Sequence, residues 1–230
     1  MKSKRIIVTG CSRGIGLELV KNLAKNGHSV LAVSRNPPRN EDLSGYSGKV
    51  YGLKAEITQS EGCNTIANFV ENEWGGVDIL IHNAGTLVHM PFEKTTSDLF
   101  QEVYGVNVFA LAELTRVLIP FMEPGSHVVA ISSMGGIQGS MKFAGLSAYS
   151  SSKGAVITLM ELLAEEYKEK SVSFNTLAIG AVQTEMLKEA FPEYQAQITA
   201  AEMAAYIADF SLKGNKLFNG KVIQVSNTTP

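Results

Sequence analysis

Residues 9–16 read TGCSRGIG, a glycine-rich stretch that follows a short β-branched run and opens an amphipathic segment. This order predicts a strand, a tight turn and a helix. Gly10 allows the turn, Gly14 lets the backbone approach a pyrophosphate, and Gly16 lets the helix pack closely on the strand. Glycines also occur in ordinary turns, but the flanking strand and helix favour a cradle in which the first N–H groups of the helix bind an anion.

The rest of the chain repeats this alternation of short apolar runs and longer amphipathic segments. The predicted strands are Ile6–Thr9, Ser29–Val33, Val50–Leu53, Val77–Ile81, His127–Ile131, Val172–Ile179 and Lys221–Val225. The predicted helices include Gly14–Lys25, Glu61–Glu73, Ser97–Met122, Tyr149–Glu169 and Ala200–Leu212, and Asn36–Ser47 is predicted to be an exposed loop. Several strands are apolar throughout, which is typical of strands covered on both faces. We therefore expect an α/β fold, a doubly wound sheet of about seven parallel strands flanked by helices, with ligands at the carboxyl ends of the strands.

Composition and charge exclude several classes of protein. The length of 230 residues suits a single domain, 1–230, and 45% hydrophobic residues suffice for a large core. Because 20 Lys and Arg face 22 Asp and Glu with no basic block, no nucleic-acid partner is expected. No apolar run reaches the ~18–20 residues of a membrane span, and the first one is too short for a secretory signal. Two distant cysteines suit a reducing compartment, so we expect a cytoplasmic protein.

The end of the second predicted strand indicates which dinucleotide the cradle would bind. A carboxylate there would hold the adenosine ribose and repel a 2′-phosphate, but the strand runs into Ser34 and Arg35. Arg35 can bind a phosphate with two hydrogen bonds, Ser34 can donate one, and Arg13 can approach the same phosphate. Lone arginines are usually solvated surface charges, but two of them beside one ribose favour NADPH or NADP over NAD.

Four polar residues further along the chain suggest proton chemistry. Tyr149 and Lys153 lie four residues apart on one face of a predicted helix, so we expect the ammonium to lower the tyrosine pKa from about 10. Ser133 ends the fifth predicted strand, where a hydroxyl can polarise a carbonyl. Asn107 is a polar residue in an apolar helical stretch and needs partners. Each residue has an ordinary structural explanation, and only their combination indicates a catalytic site.

These motifs together resemble the short-chain dehydrogenase/reductase family over practically the whole chain. The matching pieces occur in the family's order: TGCSRGIG at 9–16, HNAG at 82–85, Asn107, Ser132 and Ser133, YSSSK at 149–153, and Asn175, Gly180 and Thr184. The resemblance implies a Rossmann-type fold and an enzyme that transfers a hydride from NADPH to a small carbonyl substrate. It also implies a homodimer or homotetramer built on the long fourth and fifth helical stretches.

The resemblance implies a role for each matching residue. Tyr149 resembles the general acid that protonates the carbonyl oxygen, and Lys153 the residue that tunes it and binds the nicotinamide ribose. Ser133 resembles the serine that holds the carbonyl, and Asn107 the asparagine that fixes a water in the proton relay. The implied cofactor contacts are Gly10, Ser12, Arg13, Gly14, Ile15, Gly16, Ser34, Arg35, Glu56, Ile57, Asn83, Ala84, Gly85, Tyr149, Lys153, Val182 and Thr184.

The sequence departs from the family pattern around the substrate pocket. Ile179 stands where proline is usual, and His82 replaces a common asparagine and is expected to be packed rather than catalytic. The segment 185–198, which should fold over the pocket, is short, and the last strand lacks the usual Asp-Gly-Gly after it. Either an apolar wall around a small or flat substrate or ordinary packing under a loop accounts for Met134, Ile137, Met141, Phe143 and Leu146.

Two other functions stay open at this point. One is an NAD-dependent alcohol dehydrogenase, which Ser34 and Arg35 argue against. The other is a regulator that senses NADPH without turnover, which the complete set of tyrosine, lysine and serine argues against. The histidines show no metal-ligand spacing, so no metal site is expected.

Overall fold

The computed structural model of the protein describes residues 2–38 and 45–227. Residues 39–44 of the predicted loop Asn36–Ser47 and the last three residues lie outside the described part. The described strands are β1 Arg5–Thr9, β2 Ser29–Ser34, β3 Lys49–Lys54, β4 Val77–His82, β5 Met122–Ser133, β6 Ser173–Ile179, β7 Val182–Gln183, β8 Ile198–Thr199 and β9 Lys221–Val225. The described α-helices are α1 Gly14–Lys25, α2 Ser60–Phe69, α3 Ser97–Tyr104, α4 Ala110–Leu118, α5 Ser147–Glu166, α6 Glu185–Ala190 and α7 Ala200–Lys213.

Seven of these strands form one parallel sheet in the order β3-β2-β1-β4-β5-β6-β9. The order runs outward in both directions from the neighbours β1 and β4, so a crevice opens at the carboxyl ends of these two strands. The predicted α/β fold, a doubly wound sheet of seven parallel strands, is confirmed.

Helices cover both faces of the sheet because its central strands are apolar on both sides. Along β1, Ile6 and Val8 belong to the core cluster beneath α1 and α7, whereas Ile7 belongs to the cluster beneath α2, α4 and α5. All three side chains are fully buried. This alternation follows from the two-residue period of a strand, and it holds the carboxyl end of β1 rigidly beneath the crevice.

The long helical stretch predicted over Ser97–Met122 is interrupted. A π-helical turn, Gly105–Phe109, separates α3 from α4, and β5 already begins at Met122. The sequence predicts this strand only from His127, because Pro124 and Gly125 are typical of a turn. By length and composition alone Ser97–Phe121 could cross a membrane, but half of its most apolar window is buried inside the protein.

The segment after β6 contains two elements that periodicity did not reveal. The short strands β7 and β8 pair in parallel with each other and enclose α6 between them. Thr184 caps α6, since its Oγ1 accepts a hydrogen bond of 3.2 Å from the amide of Leu187. The predicted substrate segment 185–198 therefore consists of the short helix α6 and a loop, and it lies between the paired strands β7 and β8.

Candidate active site

A cleft of about 650 Å³ lies at the carboxyl ends of β1, β2 and β4. It brings together most of the residues that the sequence assigned to a cofactor. Those that line it are Gly10, Ser12, Arg13, Gly14, Ile15, Gly16, Ser34, Arg35, Glu56, Ile57, Asn83, Ala84, Gly85 and Thr184. Three of the assigned residues do not line the cleft: Tyr149 and Lys153, and Val182, whose side chain is buried in the core cluster beneath α1 and α7.

Two glycines of the stretch at the floor of the cleft, Gly10 and Gly16, have no room for a side chain. A Cβ on Gly10 would lie 2.6 Å from the Cα of Ala84, and a Cβ on Gly16 would lie 2.2 Å from the carbonyl oxygen of Gly10. Asn83 holds the facing loop against this stretch, because its Nδ2 donates to the carbonyls of Thr9 and Gly10 at 3.0 Å. The two backbones are thus fixed side by side, which leaves the start of α1 open to an anion.

The far end of the cleft carries the groups predicted to recognise an adenosine ribose. The Ser34 hydroxyl is buried and has no oxygen or nitrogen partner among the described residues; the Cys11 thiol lies beside it. Arg35 is largely exposed, with its Nε 3.8 Å from the Glu56 carboxylate. Glu56 in turn accepts hydrogen bonds from the amide and hydroxyl of Thr58. Ser34 and a weakly paired guanidinium therefore lie at the same end of the cleft, with the Ser34 hydroxyl buried against Cys11.

The catalytic candidates converge beside Gly85. Tyr149 and Ser133 are hydrogen-bonded through their side chains, and the Lys153 Nζ lies 5.8 Å from the centroid of the Tyr149 ring. Lys153 is buried, and its Nζ donates to the carbonyl of Ile131 at 2.8 Å. Ser132, by contrast, donates to the backbone carbonyl of Lys153 at 2.8 Å. Of the two serines, only Ser133 therefore presents its hydroxyl to the tyrosine.

Burial controls the protonation of this pair. It raises the pKa of Tyr149 above the usual 10, and the hydrogen bond with Ser133 opposes this rise only in part. Burial also lowers the pKa of Lys153 to about 8. The expected lowering of the Tyr149 pKa by the lysine is therefore not seen, because burial raises this pKa and only the hydrogen bond with Ser133 opposes the rise. At neutral pH the phenol is protonated and available as a proton donor.

Asn107 lies in the π-helical turn and joins three parts of the site. Its Oδ1 accepts from the amide of Thr86 at 2.8 Å, and its Nδ2 donates to the Thr86 carbonyl at 3.0 Å and to Ser152 Oγ at 2.9 Å. The side chain is buried and its hydrogen-bonding groups are engaged with protein. In this structure Asn107 clamps the loop after β4 to α5.

The α6 segment also borders the cleft, and the sequence did not predict its charged contacts. Glu185, Met186 and Glu189 line the cleft beside the glycine stretch. Arg13 points to this segment, with Nη1 2.6 Å from Glu189 Oε1. The expected approach of Arg13 to the ribose phosphate is therefore replaced here by an ion pair. In the sequence, only the i, i+4 spacing of Glu185 and Glu189 pointed to a charged helix face here. This spacing does not predict a contact with Arg13 unless the position of α6 is known.

Three polar residues that the sequence analysis considered, His82, His127 and Asn175, are buried and have packing roles. His82 Nε2 lies 2.8 Å from Thr115 Oγ1, and burial lowers its pKa to about 3. His127 is held between the Ser211 carbonyl and Asn175, and burial lowers its pKa to about 4. No group of three or more His, Cys, Asp and Glu able to hold a metal occurs within residues 2–38 and 45–227.

The family model for short chain dehydrogenase matches residues 4–195. The chain belongs to the short-chain dehydrogenase family. Within this family it is 30% identical over 194 residues to 7alpha-hydroxysteroid dehydrogenase of Escherichia coli K12, an alignment that covers 82% of this chain and 74% of that protein. It is 29% identical to gluconate 5-dehydrogenase of Gluconobacter oxydans, with 98% of this chain and 94% of that protein covered.

Solved structures of short-chain dehydrogenases have the same fold. A 7 alpha-hydroxysteroid dehydrogenase complexed with NADH and 7-oxo glycochenodeoxycholic acid superposes with a TM-score of 0.89 at 26% identity, covering 98% of this chain and 94% of that one. A short chain dehydrogenase from Burkholderia cenocepacia in complex with NADP gives 0.88 at 23% identity, covering 98% and 97%. The protein is thus an oxidoreductase of this family, acting between an alcohol and a carbonyl group with a nicotinamide cofactor.

Proposed function

We propose that the protein is an NADPH-dependent reductase that converts a small ketone or aldehyde to an alcohol, with Tyr149 as the general acid. The observation that carries the proposal is the convergence of Tyr149, Ser133 and Lys153 at the carboxyl ends of the strands, beside the glycine cleft. A protonated phenol and a serine hydroxyl in hydrogen-bond contact form a site in which one carbonyl oxygen can be bound by both.

The cleft fits a nicotinamide dinucleotide because its floor is backbone without side chains. The start of α1 would hold the pyrophosphate, and Ser34 and Arg35 the adenosine ribose and its 2′-phosphate. Asn83, Ala84 and the Lys153 ammonium would lie along the nicotinamide half. When bound, the reduced cofactor supplies the hydride.

The protein's own residues then manage the charge on the substrate oxygen. Ser133 donates a hydrogen bond to the carbonyl and polarises it, and Tyr149 passes its proton to the oxygen as negative charge develops there. Lys153, with a pKa of about 8, carries most of its positive charge at neutral pH and stabilises the tyrosine as it loses its proton. Asn107 holds Thr86 and α5 in position around this exchange.

Support for NADPH comes from the residues after β2. The strand ends in Ser34 and Arg35, with no carboxylate at the position that would oppose a 2′-phosphate. Because solved relatives carry either NADH or NADP, the preference has to be measured on this chain. We expect Arg35→Ala to weaken NADPH binding by roughly tenfold and to leave NADH binding nearly unchanged, since only NADPH carries the phosphate. Equal loss for both cofactors would contradict the assignment of Arg35.

The proposed substrate class rests on the two segments beside the site, α6 and the loop before α5. Helix α6 has only six residues, and the loop before α5 exposes Met141 and Phe143 while it buries Met134 and Leu146. This arrangement favours a small, largely apolar carbonyl compound. The relatives, named for a hydroxysteroid and for gluconate, share no single substrate class.

The activity test measures NADPH consumption against small aldehydes, ketones, diketones, quinones and ketoesters. We expect turnover of one class, and a loss of at least about 100-fold in kcat in Tyr149→Phe, since the phenol proton is removed while the ring stays. Cofactor binding by the variant, followed by fluorescence, serves as the control for folding. Binding without turnover of any carbonyl compound would favour the NADPH-sensing regulator, and oxidation of alcohols with NAD alone would favour the dehydrogenase.

We also propose that the protein forms a homodimer or homotetramer. Phe109, the last residue of the π-helical turn before α4, and Leu162 on α5 are each 61% exposed. A pairing of these helices between two copies would bury both. Light scattering on wild type and Leu162→Glu measures this directly: we expect a smaller assembly in the variant, and a monomeric wild type would refute the proposal.

A further inference from the structure

The side chain of Arg13 reaches from the glycine stretch, on one side of the cleft, to α6 on the other. Its guanidinium pairs with Glu189 of α6 in a two-point fork, Nη1 to Oε1 at 2.6 Å and Nη2 to Oε2 at 3.3 Å. Both residues line the cleft, and both side chains are more than half exposed. The fork raises the pKa of Arg13 and lowers the pKa of Glu189, so both stay charged at neutral pH. The pair is therefore a charged tie between the glycine stretch and α6.

The position of Arg13 also puts it next to the proposed ribose site. It follows β1, and Arg35 follows β2; the two strands are paired in register, with Thr9 beside Val33, and the Gly10 amide donates to the Val33 carbonyl at 2.9 Å. The two arginines thus leave adjacent strand ends into one cleft. They differ in their present partners, because Arg35 lies 3.8 Å from its carboxylate, beyond hydrogen-bond distance.

We propose that Glu189 is a cofactor-specificity residue, which competes with the adenosine 2′-phosphate for the guanidinium of Arg13 and so reduces the preference for NADPH over NADH. This inference rests on the proposed function in one respect, namely that the cleft binds a nicotinamide dinucleotide. Glu189 lies on the segment that covers the site, more than 170 residues from Arg13 in sequence, and no motif of the chain includes it.

The argument is one of exclusive occupancy. Glu189 occupies the Nη1/Nη2 edge of the Arg13 guanidinium, and a phosphate that binds the same edge with two hydrogen bonds has to displace the carboxylate. The 2′-phosphate of NADPH binds this edge of Arg13 only when the bond between Arg13 and Glu189 breaks. NADH has no 2′-phosphate and leaves the ion pair intact. Because an exposed ion pair is weak, the competition reduces the affinity for NADPH without abolishing it.

A control for general charge is present on the same helix. Glu185 lies one turn before Glu189, with its carboxylate beside Gly14, 3.5 Å from where a Cβ would stand. No ion pair within 4.0 Å joins it to Arg13 in the described chain. Glu185 acts on Arg13 through its charge without a hydrogen bond, so replacing it by glutamine removes a nearby charge but leaves the Arg13–Glu189 fork in place.

The test measures dissociation constants of NADPH and NADH by cofactor fluorescence in the full-length chain. The proteins are wild type, Glu189→Gln, Glu185→Gln, Arg13→Gln and the double variant Arg13→Gln/Glu189→Gln. We expect Glu189→Gln to shift the ratio of the two constants in favour of NADPH by roughly two- to fivefold, the range for one exposed ion pair. Glu185→Gln should shift the ratio clearly less than Glu189→Gln does, and in the double variant the effect of Glu189→Gln should vanish.

Two results would overturn the inference. A change of both constants by the same factor in Glu189→Gln would show a general charge effect, and a shift in the ratio that persists without Arg13 would show that Glu189 acts by another route. These results are distinct from a failure of the proposed function. A wild type that prefers NADH would refute the NADPH assignment, yet the ratio in Glu189→Gln would still move toward NADPH if Glu189 withholds Arg13.

Discussion

Gly10 and Gly14 both have left-handed backbone, with φ of 69° and 57°, but their surroundings differ. A Cβ on Gly10 would lie 2.6 Å from the Ala84 backbone, whereas a Cβ on Gly14 would meet nothing closer than 3.5 Å. The left-handed conformation alone costs a non-glycine residue about 1–2 kcal/mol. We expect Gly14→Ala to lose that amount of unfolding free energy, and Gly10→Ala to lose clearly more and to bind NADPH at least about tenfold more weakly, because the facing loop must move. Urea denaturation and cofactor titration measure both, and equal losses in the two variants would contradict a steric role for Gly10.

At the scale of elements, the π-helical turn between α3 and α4 matters because it places Asn107 against two other segments. The side chain makes three hydrogen bonds, two to Thr86 and one to Ser152. We expect Asn107→Ala to lower the unfolding free energy by about 3 kcal/mol, since buried partners lose their bonds, and to speed amide exchange at Thr86. Ser152→Ala removes one of the three bonds, together with the bond that Ser152 donates to the Tyr149 carbonyl, and should cost about 1–2 kcal/mol and leave the Thr86 amide protected. Unchanged exchange at Thr86 in Asn107→Ala would show that the loop is held by other contacts.

At the scale of the whole molecule, neutral buried histidines on the central strands make the fold sensitive to acid. Burial lowers the pKa of His82 to about 3, while an unfolded histidine titrates near 6.5. Between these values the unfolded chain binds the extra proton, so stability falls as the pH drops below about 6.5. We expect the unfolding free energy of His82→Asn, relative to wild type, to rise by about 2 kcal/mol from pH 7 to pH 5. Denaturant titrations at the two pH values measure this, and parallel losses in both proteins would mean that His82 does not resist protonation in the fold.

The same three scales separate what the chain alone specifies from what packing specifies. Strand and helix order, the glycine cradle and the identity of the catalytic candidates follow from the sequence. The reason is that short apolar runs, a 3.6-residue apolar period and the glycines between them are local properties of the chain, and the catalytic candidates stand in motifs that resemble the family's. The proximity of Tyr149 and Lys153 also follows from the sequence, since residues four positions apart on a helix lie on the same face.

Only the tertiary structure decides the features that depend on long-range contact. The pKa of Tyr149 rises rather than falls because burial is set by the surrounding fold. The helix predicted over Ser97–Met122 is divided by a π-helical turn that carries Asn107, whose partners Thr86 and Ser152 are distant in sequence. Arg13 pairs with Glu189 because α6 is folded back over the glycine stretch by the β7–β8 pair. Desolvation and ion pairing between distant residues depend on distances in space, and spacing along the chain does not contain them.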